Sequence, residues 1–177
     1  MRIETDLKLD FDDVLIRPKR STLTSRRDVD LRRTYNFLHG GSYFEGIPIM
    51  AANMDGVGEL EVGETLSSLN LFTCYKKDID ENSLIDALSL YTVNKQRENV
   101  AVSIGRNDND FNKLRRISKH VKVKNICVDV ANGYSQAFVD FVRKVRDRYP
   151  NSNIFAGNVV TGEMVEELLL AGADVVK

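Results

Sequence analysis

The sequence predicts an α/β protein built on a parallel sheet, and three observations carry that prediction. Short apolar runs recur from residue 47 onward, each too short for a helix and each closed by turn or polar residues. Stretches of helical length separate consecutive runs, with short links between them. The runs are apolar on both sides of the alternation, as in Asn125-Ile126-Cys127-Val128-Asp129-Val130-Ala131-Asn132-Gly133, which marks strands covered on both faces.

Residues Met1 to Phe44 read as an irregular start. Within it, Phe11 to Pro18 joins an apolar run to a proline stop and predicts a short strand or lid segment. Ser21 to Arg33 is polar and basic and reads as a solvated loop. Gly40-Gly41 and Gly46 punctuate a hairpin. The first repeat then opens with a strand at Ile47–Ala52, a loop at Asn53-Met54-Asp55-Gly56 and a helix near Glu59–Leu69. A strand at Leu71–Tyr75 ends in Lys76-Lys77 and is followed by a helix over Asn82–Leu90. Val100–Ser103 is the third strand, closed by Gly105, with a helix over Asp108–His120 after it. The Asp129 strand is the fourth, ending at the Asn132-Gly133 turn, and its helix runs from Gln136 to Tyr149. Asn153–Asn158 is the fifth, followed by a helix from Thr161 through Leu170, and Ala173–Lys177 starts a sixth.

Strand and helix in strict alternation call for right-handed crossovers and a parallel sheet. A helix after every strand, with no glycine-rich dinucleotide turn, favours a (β/α)8 TIM barrel over a doubly wound sheet. Such a barrel has eight strands in ~250 residues. About six βα units fit here, so the expectation is a truncated barrel of one incomplete domain over 1–177, with 1–46 as the irregular and hairpin segment and 47–177 as the repeats.

A chain of 177 residues with 42% hydrophobic and 29% charged residues can bury one core as an ordinary soluble protein. The net charge of -1 gives no basis for nucleic-acid or anionic-membrane partners. Met1 to Asp13 is charged throughout and unlike a signal peptide, and no apolar run is long enough to span a bilayer. Cys74 and Cys127 fall in predicted buried strands and make no disulfide framework or metal cluster, which points to the cytoplasm.

In a barrel the loops after the strands build the site. Asn53, Met54 and Asp55 follow the first strand, Lys77 the second, Ser103 and Gly105 the third, Asp129 the fourth, and Gly157-Asn158 the fifth. A lysine, an aspartate and two asparagines on one face suit a polar small molecule. Lys77 beside Asp129 would make a charge-assisted pair able to relay a proton or grip an amide. The competing readings are plainer: Lys76-Lys77 as a solvated turn, Met54 as core filler, Asp129 as a helix cap. Asn132 and Ser135 are better placed to cap, so Asp129 is taken as a site residue. Cys74 and Cys127 read as small buried hydrophobes, and His39 and His120 lie where neither suits a general base. No nucleophile is visible, and no phosphate loop or nucleophile elbow occurs.

Four blocks of sequence resemble one family. They are Leu9-Asp10-Phe11-Asp12-Asp13-Val14-Leu15-Ile16-Arg17-Pro18-Lys19-Arg20-Ser21-Thr22-Leu23, Pro48 to Asp55, Cys127 to Ser135, and Ala156 to Met164. Together they are similar to the amino-terminal part of the GMP reductases, within the IMP dehydrogenase/GMP reductase family. IMP dehydrogenases usually carry an inserted domain between the second helix and the third strand, where only a short link separates Leu90 from Val100 here.

The resemblance implies NADPH-dependent reductive deamination of GMP to IMP with release of ammonia, a step of purine salvage. It implies a cysteine nucleophile on a loop beyond Lys177, a K+ site also beyond Lys177, and a homotetramer. By the same resemblance Asn53 and Met54 match substrate-base contacts. Lys77 and Asp129 match catalytic residues that also touch the cofactor, with Val130, Ala131 and Asn158 beside them. Ser25 and Arg26 match a pair reaching the cofactor of a neighbouring subunit. Gly56, Ile104, Arg106 and Tyr75-Lys76 depart from the family pattern. The implied partners are GMP and IMP, plus further copies or a complementary carboxyl-terminal half. A non-catalytic nucleotide-binding or interaction fragment, and an IMP dehydrogenase-like oxidoreductase, are the alternatives.

Overall fold

Strand-helix alternation governs the computed structural model of the chain, which describes residues 3, 5–41, 43–93 and 99–177. Met1–Asp30 and Leu31–Lys177 are separate compact units. In the first, a 3₁₀ turn covers Phe11–Asp13 where a strand or lid was expected. The cause is local: the Asp10 carboxylate accepts from Phe11 N, and the Asp13 carboxylate accepts from Asp10 N, a reciprocal cap that closes a turn. Ser25 and Asp28 cap a second turn, Arg26–Asp28, in the same way.

The second unit opens with the hairpin expected from its glycines, β1 (Arg33–Asn36) antiparallel to β2 (Tyr43–Gly46). Six parallel strands follow in sequence order: β3 (Met50–Ala51), β4 (Phe72–Tyr75), β5 (Val100–Ile104), β6 (Asn125–Asp129), β7 (Asn153–Gly157) and β8 (Val175–Val176). The helices between them are α1 (Leu60–Ser68), α2 (Glu81–Val93), α3 (Asp108–Ile117), α4 (Gln136–Arg148) and α5 (Gly162–Leu170). Strand order equal to chain order is the pattern of one wall of a barrel. β3 and β8 are its edges, which explains why each pairs over only two residues.

Period-2 alternation divides the strands between two cores. Tyr75, Val100, Val102, Ile104, Ile126, Val128, Ile154 and Ala156 face the helices, and pack on Phe111, Leu114 and Ile117 of α3 and on the buried Phe138, Val142 and Val145 of α4. Ile104 fills this helix-side core rather than a ligand wall. Phe72, Cys74, Ala101, Cys127 and Phe155 form the inner face, and Phe37 and Phe44 of the hairpin region cover it. Their rings meet edge-on, with Phe37–Phe155 and Phe44–Phe72 centroids both 6.0 Å apart. The hairpin thus stoppers the amino end of the sheet.

A polar lock holds that end. The Asp174 carboxylate is fully buried and accepts from Arg146 Nη2 at 2.6 Å, from Ile154 N at 2.8 Å and from His39 N at 3.0 Å. Arg146 spends its other donors on the carbonyls of Gly172, Tyr149, Pro150 and Ser152. No helix among the described residues is long and apolar enough to cross a membrane.

Candidate functional site

The carboxyl ends of the strands carry the polar residues, and the loops there are built to hold them. After β3, Asn53 to Gly58 form a tight turn in which Val57 N and Gly58 N both donate to the Met54 carbonyl. Gly56 sits at φ +72, a left-handed conformation that favours glycine over a β-branched residue. Lys76 straps this turn to the end of β4, with Nζ 2.9 Å from Glu59 and 3.2 Å from Asp55. The Lys76 hydrogen bond and charge draw the Glu59 carboxyl below its ordinary value. Lys113 donates from α3 to the Lys77 carbonyl at 2.7 Å, fixing the backbone beneath the neighbouring lysine.

Asp129 is the centre of the mouth. Helix α4 takes its cap from Ser135, whose hydroxyl accepts from Phe138 N, and Asn132 accepts from Tyr134 N in the loop before it. The Asp129 carboxylate turns instead to two lysines: Lys177 Nζ at 2.5 Å and Lys77 Nζ at 3.7 Å. Lys177 also donates to Asn53 Oδ1 at 3.3 Å. Burial alone would push the Asp129 carboxyl up. The hydrogen bonds from Lys177 and Asn53, with the charges of Lys177 and Lys77, outweigh it and hold the group below the usual aspartate value. Lys177 is raised by the same pairing, against its own burial.

Neighbouring strand ends are knitted by backbone bonds: Val130 N donates to Gly157 O, and Asn158 N to Val130 O. Val130 packs against the helix-side core, whereas Ala131, Asn158 and Met54 are exposed. Ser103, expected at the mouth, is buried on the inner face against the Cys127 thiol, and Gly105 N is bound by the Asp110 carboxylate of α3. The structure therefore brings Asn53, Lys77 and Asp129 together, with Asn158 and Ala131 on adjoining loops. Ser25 and Arg26 belong to the separate unit of Met1–Asp30.

Two features lay outside the sequence reading. Lys177 is the nearer cation to Asp129, and the signal for it was the rule already applied to the other strands: a polar residue at a carboxyl strand end. The thiols also differ from the expectation of no cationic neighbour, because the Lys177 charge acts on both. Cys74 is pushed well above an ordinary thiol by its hydrogen bond to Cys127 and by burial. Cys74 pairs with Ala101 on β5 and Cys127 with Ser103 on the same strand. The two cysteines are thus two strands apart, roughly 9–10 Å across the strands, and also offset by two residues along them, beyond the ~7 Å limit for a disulfide.

What the mouth can do chemically is bind a polar ring system. It offers an ionised carboxylate, an ammonium within reach of it, two asparagine amides and an exposed thioether that can lie on a flat ring.

The IMP dehydrogenase / GMP reductase domain family matches residues 8–177. The chain is 51% identical to the GMP reductase of Onchocerca volvulus over 99% of its length and 49% of that protein. It is 51% identical to GMP reductase 1 of Homo sapiens, over 99% of this chain and 51% of that one. The GMP reductase of Edwardsiella ictaluri is 52% identical across the whole chain and 51% of its own length. The chain spans about half the length of the curated relatives it matches. In fold it is similar to the crystal structure of inosine 5'-monophosphate dehydrogenase from Legionella pneumophila, with a TM-score of 0.75 over 94% of this chain and 49% of that one, at 24% identity. The six-stranded wall is thus part of a TIM barrel, and the chain belongs to the IMP dehydrogenase/GMP reductase family.

Proposed function

We propose that this chain forms the base-binding and cofactor-facing half of a GMP reductase site, for the NADPH-dependent deamination of GMP to IMP. The observation that carries this reading is the Lys77–Asp129–Asn53 cluster at the mouth, on a chain about half identical to proteins named GMP reductase. NADPH, when bound, supplies the hydride. Asn53 and Met54 then take the purine, Met54 against the ring face and Asn53 at its edge. Asp129 and Asn158 orient the carboxamide, with Val130 and Ala131 as the wall beside it. Lys77, backed by Asp129, holds or delivers a proton at the departing amine. Ser25 and Arg26 serve the cofactor of a neighbouring copy in a tetramer. Two free cysteines suit the reducing cytoplasm.

The test is a chimera in which residues 1–177 replace the matching half of human GMP reductase 1. It should oxidise NADPH only when GMP is present. Asp129→Asn in the chimera should lower kcat and kcat/KM together, because its charge is used mainly in the transition state. A folded chimera that binds GMP without turnover would overturn the reading.

A further inference from the structure

We propose that Lys177 is a positioning residue of the mouth: it pins the Asp129 carboxylate and the Asn53 side chain across the gap between the sheet's two edge strands, and so leaves the Lys77 ammonium available to a ligand. The inference rests on the reading above only for the use made of Lys77.

The geometry separates the two lysines. Lys177 Nζ is at full hydrogen-bond contact with Asp129 and also reaches Asn53, so two of its three donors are committed. Lys77 Nζ, at 3.7 Å from the other carboxylate oxygen, is beyond hydrogen-bond distance, and its side chain is 44% exposed. Charge attraction keeps Lys77 near the carboxylate without fixing it there. Lys177 is also the lysine whose backbone is built in: its N donates to the Ala156 carbonyl, and its carbonyl accepts from Val159 N. β7 makes room for it, since a Cβ on Gly157 would lie 2.1 Å from the Lys177 carbonyl oxygen. A side chain seated this way is a fixed strut; Lys77 is a tethered one.

This division of labour matters for chemistry. A single lysine cannot both neutralise a half-buried carboxylate and hand a proton to a substrate, because the carboxylate would be left uncompensated at the moment of transfer. With Lys177 as the permanent counter-ion, Asp129 stays ionised whatever Lys77 does. The lowered Asp129 and raised Lys177 proton affinities agree with that arrangement.

Competitive trace acetylation of the 177-residue chain, read lysine by lysine by mass spectrometry from about pH 7 to about pH 11 across the ordinary lysine range, tests the inference. It needs neither GMP nor NADPH, so its failure and the failure of the reductase reading are separate results. In the wild type, Lys177 should label more slowly than Lys77. Asp129→Asn keeps the shape, and should speed Lys177 about tenfold, the effect of about one unit of proton affinity, while changing Lys77 less than about twofold. Lys177→Met should slow Lys77, which then becomes the counter-ion, and Lys177→Arg should leave Lys77 at its wild-type rate. Greater acceleration of Lys77 than of Lys177 in Asp129→Asn would overturn the proposal, as would identical effects of the Met and Arg variants. If Lys177→Met unfolds and all its lysines label alike, the Asp129→Asn comparison decides alone.

Discussion

Lys177 and Asn53 meet at 3.3 Å although they flank the last and the first strands of the parallel sheet. A flat sheet would hold those strands five neighbours apart, roughly 24 Å at the usual strand spacing. The wall is therefore curled far enough for side chains from its two edges to meet across the carboxyl end, and the polar mouth exists because of that curl. One side-chain hydrogen bond, between residues just past β3 and β8, links the two edges there in place of a backbone ladder.

The 177-residue chain alone should show no GMP-dependent oxidation of NADPH above a blank. Both of its thiols are buried on the inner face, one is pushed toward the protonated form, and neither opens onto the mouth. Following absorbance of the cofactor with and without GMP checks this. Turnover would mean that another group does the work of the nucleophile.

Stability should carry the signature of the Asp129–Lys177 pair in its pH dependence. Asp129 is lowered in the folded state, so its contribution is present above the unfolded carboxylate value and lost as pH falls through the folded one. Lys177 is raised, so its contribution is present below the unfolded lysine value and lost as pH rises through the folded one. The wild type should exceed Asp129→Asn by about 1–3 kcal/mol on a plateau between about pH 4 and about pH 10, with the difference shrinking outside it. Urea midpoints at one fixed protein concentration measure this.

The Arg146–Asp174 lock should be the most sensitive polar position in the fold. Asp174→Ala leaves a guanidinium facing an emptied buried site and strands Ile154 N and His39 N without their acceptor. A loss of about 3–5 kcal/mol is expected, as for removal of one partner of a buried pair. Thermal melts of Asp174→Ala against a surface change such as Asp147→Ala, expected within about 0.5 kcal/mol, give the comparison.

In isolation the chain should self-associate. Among the described residues β3 and β8 each present an unpaired side, and a cavity of about 320 Å³ lined by Pro48, Ile49, Met50, Phe72, Phe155 and Val175 lies between them. Light scattering should report species above the 20.0 kDa monomer. Hydrogen exchange at Val175 and Val176 should slow when a complementary βα partner is added. A monodisperse monomer with those amides fully protected would contradict this.

The repeat was legible because each strand had to be apolar on both faces, and the helix after the Asp129 strand was bounded by a readable cap at Ser135. The edges were not legible: Ile47–Ala52 is apolar enough for a full strand, yet with one neighbour only Met50–Ala51 pairs. Asp10 and Asp13 overrode the apolar run at Phe11 through local bonds that composition conceals. Arg146 and Asp174 read as ordinary charged positions, because their partners lie in elements that only the finished fold brings together. Asn53, Lys77 and Asp129 could be placed from the strand-end rule. The preference of Asp129 for Lys177 could not, since it depends on how far the sheet curls.

The hairpin that stoppers the amino end has a consequence for synthesis. It leaves the ribosome before any strand of the sheet it seals, and one of the bonds that seats it, from His39 N to Asp174, spans 135 residues. Contacts of such separation close late and slowly. Phe44 can meet Phe72 once β4 has emerged, but Phe37 must wait for Phe155 on β7, so the inner core is completed late. A nascent chain arrested before Asp174 would hold a helix-side core with its inner face still open, the species on which a chaperone would act.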